Sequence, residues 1–490
     1  MFFQTILGTV VTLVVYLLLS KQAKRNHIKR QEFLRGCSPC PVMPKTGFLG
    51  FGRLIDGMKA NNAERGPQYV VETMDEAMGK DVHTCIVPIH DYELIVTRDP
   101  RNVQAVLAGN ATDWDVSEHR AASWRPMIGH GIFTSRGQDW KHSRALVRPL
   151  FNKQQTNDLD LFERHVHHLF SVIDREYRGG SDEGWTKKFD LLPLCYNMAL
   201  DVVTEMIYGR SVHSQNPSAR RRFPIVHGLE SPDTIDIGTH MDAGKLWIET
   251  RGALWKYRWL LPTGTFYKHC AAIHKYAEWF VQFRLRTGQR YLRALSGGKD
   301  SKHRYVLLNE LAKVTEDPVE LRSQTLNVFV AGRDTTASLI GWIVYFLARH
   351  PGVLAELRDE VLGQFGPYIP NQPSGIKFKE FRGTYLNAVI NEVLRFAPVV
   401  PLNERVSVCD TVLPRGGGLD GERPIFIPKG TQILLPTYAL ARRTDLWGPD
   451  ADEFRPARWL EDGGRKFGFE FVPFGGGVRQ CMGRKYSSRW

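Results

Sequence analysis

Ten residues near the end of this 490-residue chain could do the most chemistry: Phe474-Gly475-Gly476-Gly477-Val478-Arg479-Gln480-Cys481-Met482-Gly483. They fit F-x-x-G-x-R-x-C-x-G and set one cysteine at the end of a glycine-rich loop, where a helix can begin. The thiolate, not the thiol, is the good metal ligand. A helix N-terminus favours that anion through its free backbone N–H groups and partial positive charge. Gly477 and Gly483 let the backbone pass close to something flat and bulky. Arg479 adds a fixed cation suited to a carboxylate. The plainer reading of the loop is a buried structural cysteine after a glycine turn, and it has to be weighed against the other constellations.

Glu392 and Arg395 stand three residues apart, on one helix face, and can pair. That spacing alone carries little, since Glu32 and Arg35 repeat it. Ala331-Gly332-Arg333-Asp334-Thr335-Thr336 lies within a long apolar-periodic stretch. Gly332 weakens a helix there, and the Thr335 hydroxyl can bond back to the preceding turn. Both favour a local opening where water can lodge. Trp140 and Arg144 share a helix face at i and i+4. His142, between them, reads as a solvated or packing histidine rather than a ligand.

Taken in chain order, from Trp140 through Ala331–Thr336 and Glu392 to Gly483, the stretches resemble the cytochrome P450 family, and with the N-terminus the resemblance covers nearly the whole chain. It implies a haem-thiolate monooxygenase. Haem b would be held by Cys481 as axial thiolate, with Phe474, Gly477, Arg479 and Gly483 around it. Trp140, Arg144 and Arg405 would meet the cofactor's propionates. Phe454-Arg455-Pro456-Ala457-Arg458-Trp459 resembles the segment that supplies a second arginine to the Glu392–Arg395 pair, with Arg458 preferred over Arg455. Such a network would lock the region that positions the cysteine loop. Thr335 would orient bound oxygen, and Asp334 would belong to the proton path. The electrons would come from NADPH through a flavoprotein, the NADPH–cytochrome P450 reductase, with cytochrome b5 as a further partner. Arg484 and Lys485 are the candidates for that docking face. Val399-Val400-Pro401-Leu402-Asn403-Glu404-Arg405 and Leu413 to Gly421 most resemble the fungal microsomal alkane and fatty-acid hydroxylases. The substrate implied is a long-chain alkane or fatty acid, oxidised at or near its chain end. A secondary metabolite or xenobiotic is the alternative.

Helices must carry most of these groups. Helical patterns cover 139–150, 159–177, about 319–349 and 379–396, the last stopping before Pro398. Residues 399–408 and 423–435 read as short strands and turns, and Gly416 to Gly421 as a surface hairpin rather than a phosphate loop. The fold expected is mainly α with small β-sheets, a single large haem-enclosing helical domain.

Composition sets the bounds. With 42% hydrophobic and 24% charged residues the chain can bury a sizeable core. A net charge of +13 is scattered rather than striped and accompanies no nucleic-acid motif, so an anionic membrane or an acidic protein suits it better. Seven widely spaced cysteines make no disulfide framework and point to a reducing compartment; Cys37 and Cys40 lack a second pair at zinc-site distance. Residues 1–20 carry no charged side chain, and Lys21, Lys24, Arg25, Lys29 and Arg30 follow. That reads as an uncleaved transmembrane anchor with the rest of the chain cytosolic, and the resemblance to microsomal enzymes implies the endoplasmic reticulum membrane. The expected organisation is anchor 1–20, basic and then proline-rich linker 21–46, and catalytic domain 47–490. Val478 stands where that family often has proline. The chain stops nine residues past Cys481, so the C-terminus is expected to be incomplete, and an inactive remnant is the reading that competes with an enzyme.

Overall fold

A computed structural model describes all residues except 1, 91, 152–158, 180–183, 220–221, 296–304, 368, 370–383, 462–466 and 485–490. The chain divides into two compact units. The first comprises Met1–Asp115, Pro401–Gly448 and Phe467–Gln480; the second comprises Val116–Val400, Pro449–Lys466 and Cys481–Trp490.

The first unit begins with a helix, α1 (Phe2–Leu34), and holds the named strands. They are β1 (Thr84–Ile89), β2 (Tyr92–Thr97), β3 (Trp114–Asp115), β4 (Asn403–Ser407), β5 (Thr411–Gly417), β6 (Arg423–Ile427) and β7 (Gln432–Leu435). Five form one sheet in the order β1-β2-β7-β4-β3. β2 and β7 run parallel, and the other neighbours antiparallel. β5 and β6 form the hairpin expected around residues 416–421, with an irregularity between Leu413 and Gly417. Ile95, Leu107, Leu413, Ile427, Ile433 and Leu435 fill the core of this unit.

Residues 21–46, the expected linker, are partly helical and partly bonded to strand residues. α1 continues past Ser20 to Leu34, because the basic run 21–34 contains no helix breaker. His27 Nε2 sits 3.1 Å from Asp410 Oδ2, and the Arg35 guanidinium lies over the Phe426 ring. Ser38 N–H donates to Pro424 O at 2.8 Å, and Val42 bridges Ile86. Part of the segment's backbone is thus hydrogen-bonded to strand residues. The anchor expected over residues 1–20 falls largely on side chains outside the described set. Among the described residues no single helix is long and apolar enough to cross a bilayer.

The second unit is helical. Its helices include α2 (Gly137–Val147), α3 (Asp160–Tyr177), α4 (Leu192–Tyr208), α5 (Ile237–Ala253), α6 (Gly264–Thr287), α7 (Pro318–Arg349) and α8 (Thr384–Phe396). α7 starts where Asp317 caps it, its carboxylate accepting Val319 N–H at 2.9 Å, with Pro318 in the first turn. α4 ends at Gly209, which takes the left-handed conformation at φ 78°. α8 begins at Thr384 among the described residues, so the expected start at 379 lies outside them. A large aromatic core, with Tyr208, Tyr276, Phe280 and Phe283 near its centre, holds α4, α6 and α7 together. The arrangement matches the mainly helical expectation: the helices bury their apolar faces on one another, and the strands are few and short.

Candidate active site

Cys481 belongs to the second unit, and Phe474, Gly477 and Arg479 belong to the first. The backbone N–H groups of Gly483 and Arg484 both hydrogen-bond to the Cys481 sulfur, as a helix start would provide. Cys481 is accessible to solvent, yet desolvation still pushes its thiol above the ordinary range. The two N–H groups and the Arg144 guanidinium oppose that rise. The sulfur is therefore set to deprotonate when a metal binds, because a coordinated thiol gives up its proton. The helix expected after the cysteine falls on residues 485–490, outside the described residues.

Gly477 has φ +61°, and a Cβ there would fall 1.8 Å from Leu107 O. Only glycine allows that approach. Phe474 is half-buried two residues before the Gly476–Gly477 step. Arg479 donates from Nη2 to Asp115 Oδ1. Arg405, on β4, is buried, with Nη1 donating to Asn403 Oδ1 at 2.9 Å and to Glu404 O at 2.6 Å.

On α2, Trp140 is buried and the Arg144 guanidinium lies 5.5 Å from its ring centroid. Desolvation lowers the Arg144 pKa, and Cys481 partly restores it. His142 points away from this pair, its Nε2 2.7 Å from Glu320 Oε1.

Glu392 is fully buried at the centre of a network. Its Oε1 accepts Arg395 Nη2 at 2.8 Å, Arg458 Nε at 3.0 Å and the Arg455 backbone N–H at 2.9 Å. Its Oε2 accepts Arg395 Nε and Trp459 Nε1, both at 2.9 Å. Arg395 also donates to Ala451 O at 2.7 Å and Glu453 O at 2.9 Å. The Arg455 side chain turns instead to Asp450 and Glu461, so Arg458 is the arginine whose guanidinium reaches Glu392.

α7 runs unbroken through Ala331–Thr336, and the opening expected at Gly332 and Thr335 is not seen as a break. Thr335 Oγ1 donates to Ala331 O at 2.7 Å, which satisfies the hydroxyl within the helix. Gly332 serves packing: a Cβ there would lie 2.9 Å from Val203 Cγ2 on α4. Asp334 accepts Lys245 Nζ at 2.8 Å and Arg333 Nη1 at 3.2 Å. Arg333 also grips Asp242 at both oxygens, at 2.6 and 2.9 Å. Burial alone would pull Lys245 down; Asp334 and Asp242 outweigh it and hold the ammonium above the usual lysine range.

Sequence reasoning missed Asp115, Asp242 and Lys245. Each acts on its partner across a long stretch of chain, 364 residues for Asp115 and 89 for Lys245 with Asp334, with no local pattern to mark it. Trp459 lay inside the quoted hexapeptide, and its indole N–H was the available signal.

The sequence model of the Cytochrome P450 family matches residues 70–487. The chain belongs to the cytochrome P450 family. It is similar to "Cytochrome P450 monooxygenase g430" of Fusarium sp, at 37% identity over 99% of this chain and 82% of that one. It is also similar to "Cytochrome P450 52A3-B" of Candida maltosa, at 36% identity over 95% of this chain and 85% of that one. "Cytochrome P450 52A5" of the same yeast is 38% identical over 90% of this chain and 81% of its own length. Among solved structures, a cytochrome P450DA haem domain superposes with a TM-score of 0.69 at 18% identity, covering 92% of this chain and 89% of that one. This cytochrome P450 is accordingly a monooxygenase that uses haem b, O2, a reductase partner and a hydrophobic substrate. The residues present fit haem b: a sulfur under two N–H groups and a guanidinium suits an axial thiolate, and Gly477 keeps the loop backbone free of a side chain.

Proposed function

We propose that this cytochrome P450 hydroxylates long-chain alkanes or fatty acids at or near the chain end, at the endoplasmic reticulum membrane. The observation that carries the class of chemistry is the Cys481 sulfur held by the Gly483 and Arg484 N–H groups beside Arg144. Support for the substrate is the likeness of residues 399–405 and 413–421 to the fungal alkane and fatty-acid branch. Residues 1–20 would lie in the bilayer, and NADPH–cytochrome P450 reductase, with cytochrome b5, would deliver electrons to a face that includes Arg484.

Cys481 would hold the haem iron, with Arg479, Arg405, Arg144 and Trp140 as partners for its propionates. Haem b bound there supplies activation of O2 and insertion of one oxygen atom into a C–H bond. The chain's own contribution is binding, shielding and proton supply. Asp242, half-exposed, links through Arg333 and Lys245 to Asp334, and Asp334 is the chain neighbour of Thr335. Those ion pairs would hold the Asp334 side chain in place next to Thr335, whose hydroxyl would rotate away from Ala331 O to pass a proton on.

Two measurements bear on this reading. Turnover of dodecanoate by the reductase-coupled enzyme should exceed turnover of an aromatic panel, with hydroxyl at the terminal carbon or its neighbour; preference for the aromatic panel rejects the substrate assignment. Thr335→Ala should divert electrons from product to hydrogen peroxide, raising the peroxide-to-product ratio several-fold. An unchanged ratio removes Thr335 from proton supply.

A further inference from the structure

We infer that Asp115 is a positioning residue for the cofactor: it holds Arg479 in the orientation from which that arginine meets a propionate. The inference rests on the role given to Arg479 above. Asp115 is the second residue of β3, and the strand register sets it opposite Val406 on β4, next to Arg405. Its Oδ1 accepts Arg479 Nη2, and the two side chains are 14% and 12% exposed. Two residues before Arg479, Gly477 rests on Leu107. The approach to the cysteine is therefore pinned to one short stretch, 105–115, at two points: backbone against Leu107 and charge against Asp115. The same carboxylate ties Arg479 to the strand pair that carries Arg405, so it relates two propionate partners that lie 74 positions apart in the chain, at 405 and 479.

A free arginine side chain carries about 2 kcal/mol of rotamer entropy. Fixing it before the cofactor arrives removes that cost from binding. A carboxylate suits the task because a charge-assisted bond is roughly twice as strong as a neutral one. Asparagine in its place keeps the shape and loses the charge, leaving a mostly buried guanidinium to seek other acceptors.

The test is the rate of haem transfer from the full-length holoprotein to excess apomyoglobin. Arg479→Gln should speed haem loss roughly 10-fold, the low end for a supporting-shell change, and Asp115→Asn by less than that. The double variant should lose haem no faster than Arg479→Gln alone, because Asp115 acts through Arg479. Asp115→Glu, which keeps the charge, should fall between the parent and Arg479→Gln. The inference is overturned if Asp115→Asn retains haem as well as the parent, or if the two effects multiply in the double variant. Where Asp115→Asn loads no haem, Asp115→Glu decides: retention poorer than Arg479→Gln overturns the inference, and intermediate retention supports it. If Arg479→Gln alone changes nothing, the role of Arg479 falls first, and that outcome is distinct from failure at Asp115.

Discussion

Cys481→Ser is expected to abolish the thiolate-type absorption band of the reduced carbon monoxide complex and to take monooxygenase turnover below detection. The expected loss exceeds the roughly 10–100-fold typical of changes behind a metal ligand, because the ligand itself is removed. A serine hydroxyl would meet the same Gly483 and Arg484 N–H groups and the same Arg144. It lacks the soft, electron-rich sulfur that favours O–O cleavage. The spectrum and turnover should be read together on protein matched for haem content. A thiolate-type band surviving in the serine variant would show that another residue ligates the iron.

Glu392→Ala is expected to be the most destabilising single change outside the cysteine loop. It removes the acceptor of five hydrogen bonds and strands Arg395 and Arg458, which are 0% and 6% exposed. Breaking a buried ion pair by removing one partner costs on the order of 3–5 kcal/mol. Whole domains hold only about 5–15 kcal/mol, so the variant should melt far earlier and lose haem on purification. Asp174→Ala is the control. Its partner Arg178 and Asp174 itself are 76% and 62% exposed, and such a pair contributes roughly 0–1 kcal/mol. Thermal melts followed by haem absorbance should separate the two by many degrees. Equal melts would show that the Glu392 network does not hold the region together. An apolar cluster of the same volume would be similarly stable, so the network's value lies in fixing one arrangement of α8 against residues 450–459.

Local rules account for what the sequence made legible. α7 was readable because its apolar residues recur at helical spacing over about 319–349. The partners of Glu392 were readable because three residues separate Glu392 from Arg395 on one helix, and because Arg458 stands in a short patterned segment. The extension of α1 to Leu34 was not, since a change from apolar to basic residues marks a change of surroundings and not the end of a helix. Lys245 and Asp242 sit on α5, a helix whose residues showed no usable pattern, and their grip on Arg333 and Asp334 is made only by tertiary packing. Asp115 belongs to a strand of two residues, too short for any periodicity to register.

The stitching of residues 27–43 onto the sheet bears on how such an enzyme would ride on lipid. A slack tether lets its cargo swivel. Here the helix shaft is clamped at His27 to Asp410, and the stretch after it is sewn down at Ser38 and Val42. With its apolar end immersed, as proposed, the shaft would act as a lever: a change in bilayer thickness that tilts it would turn the strand-bearing unit with it.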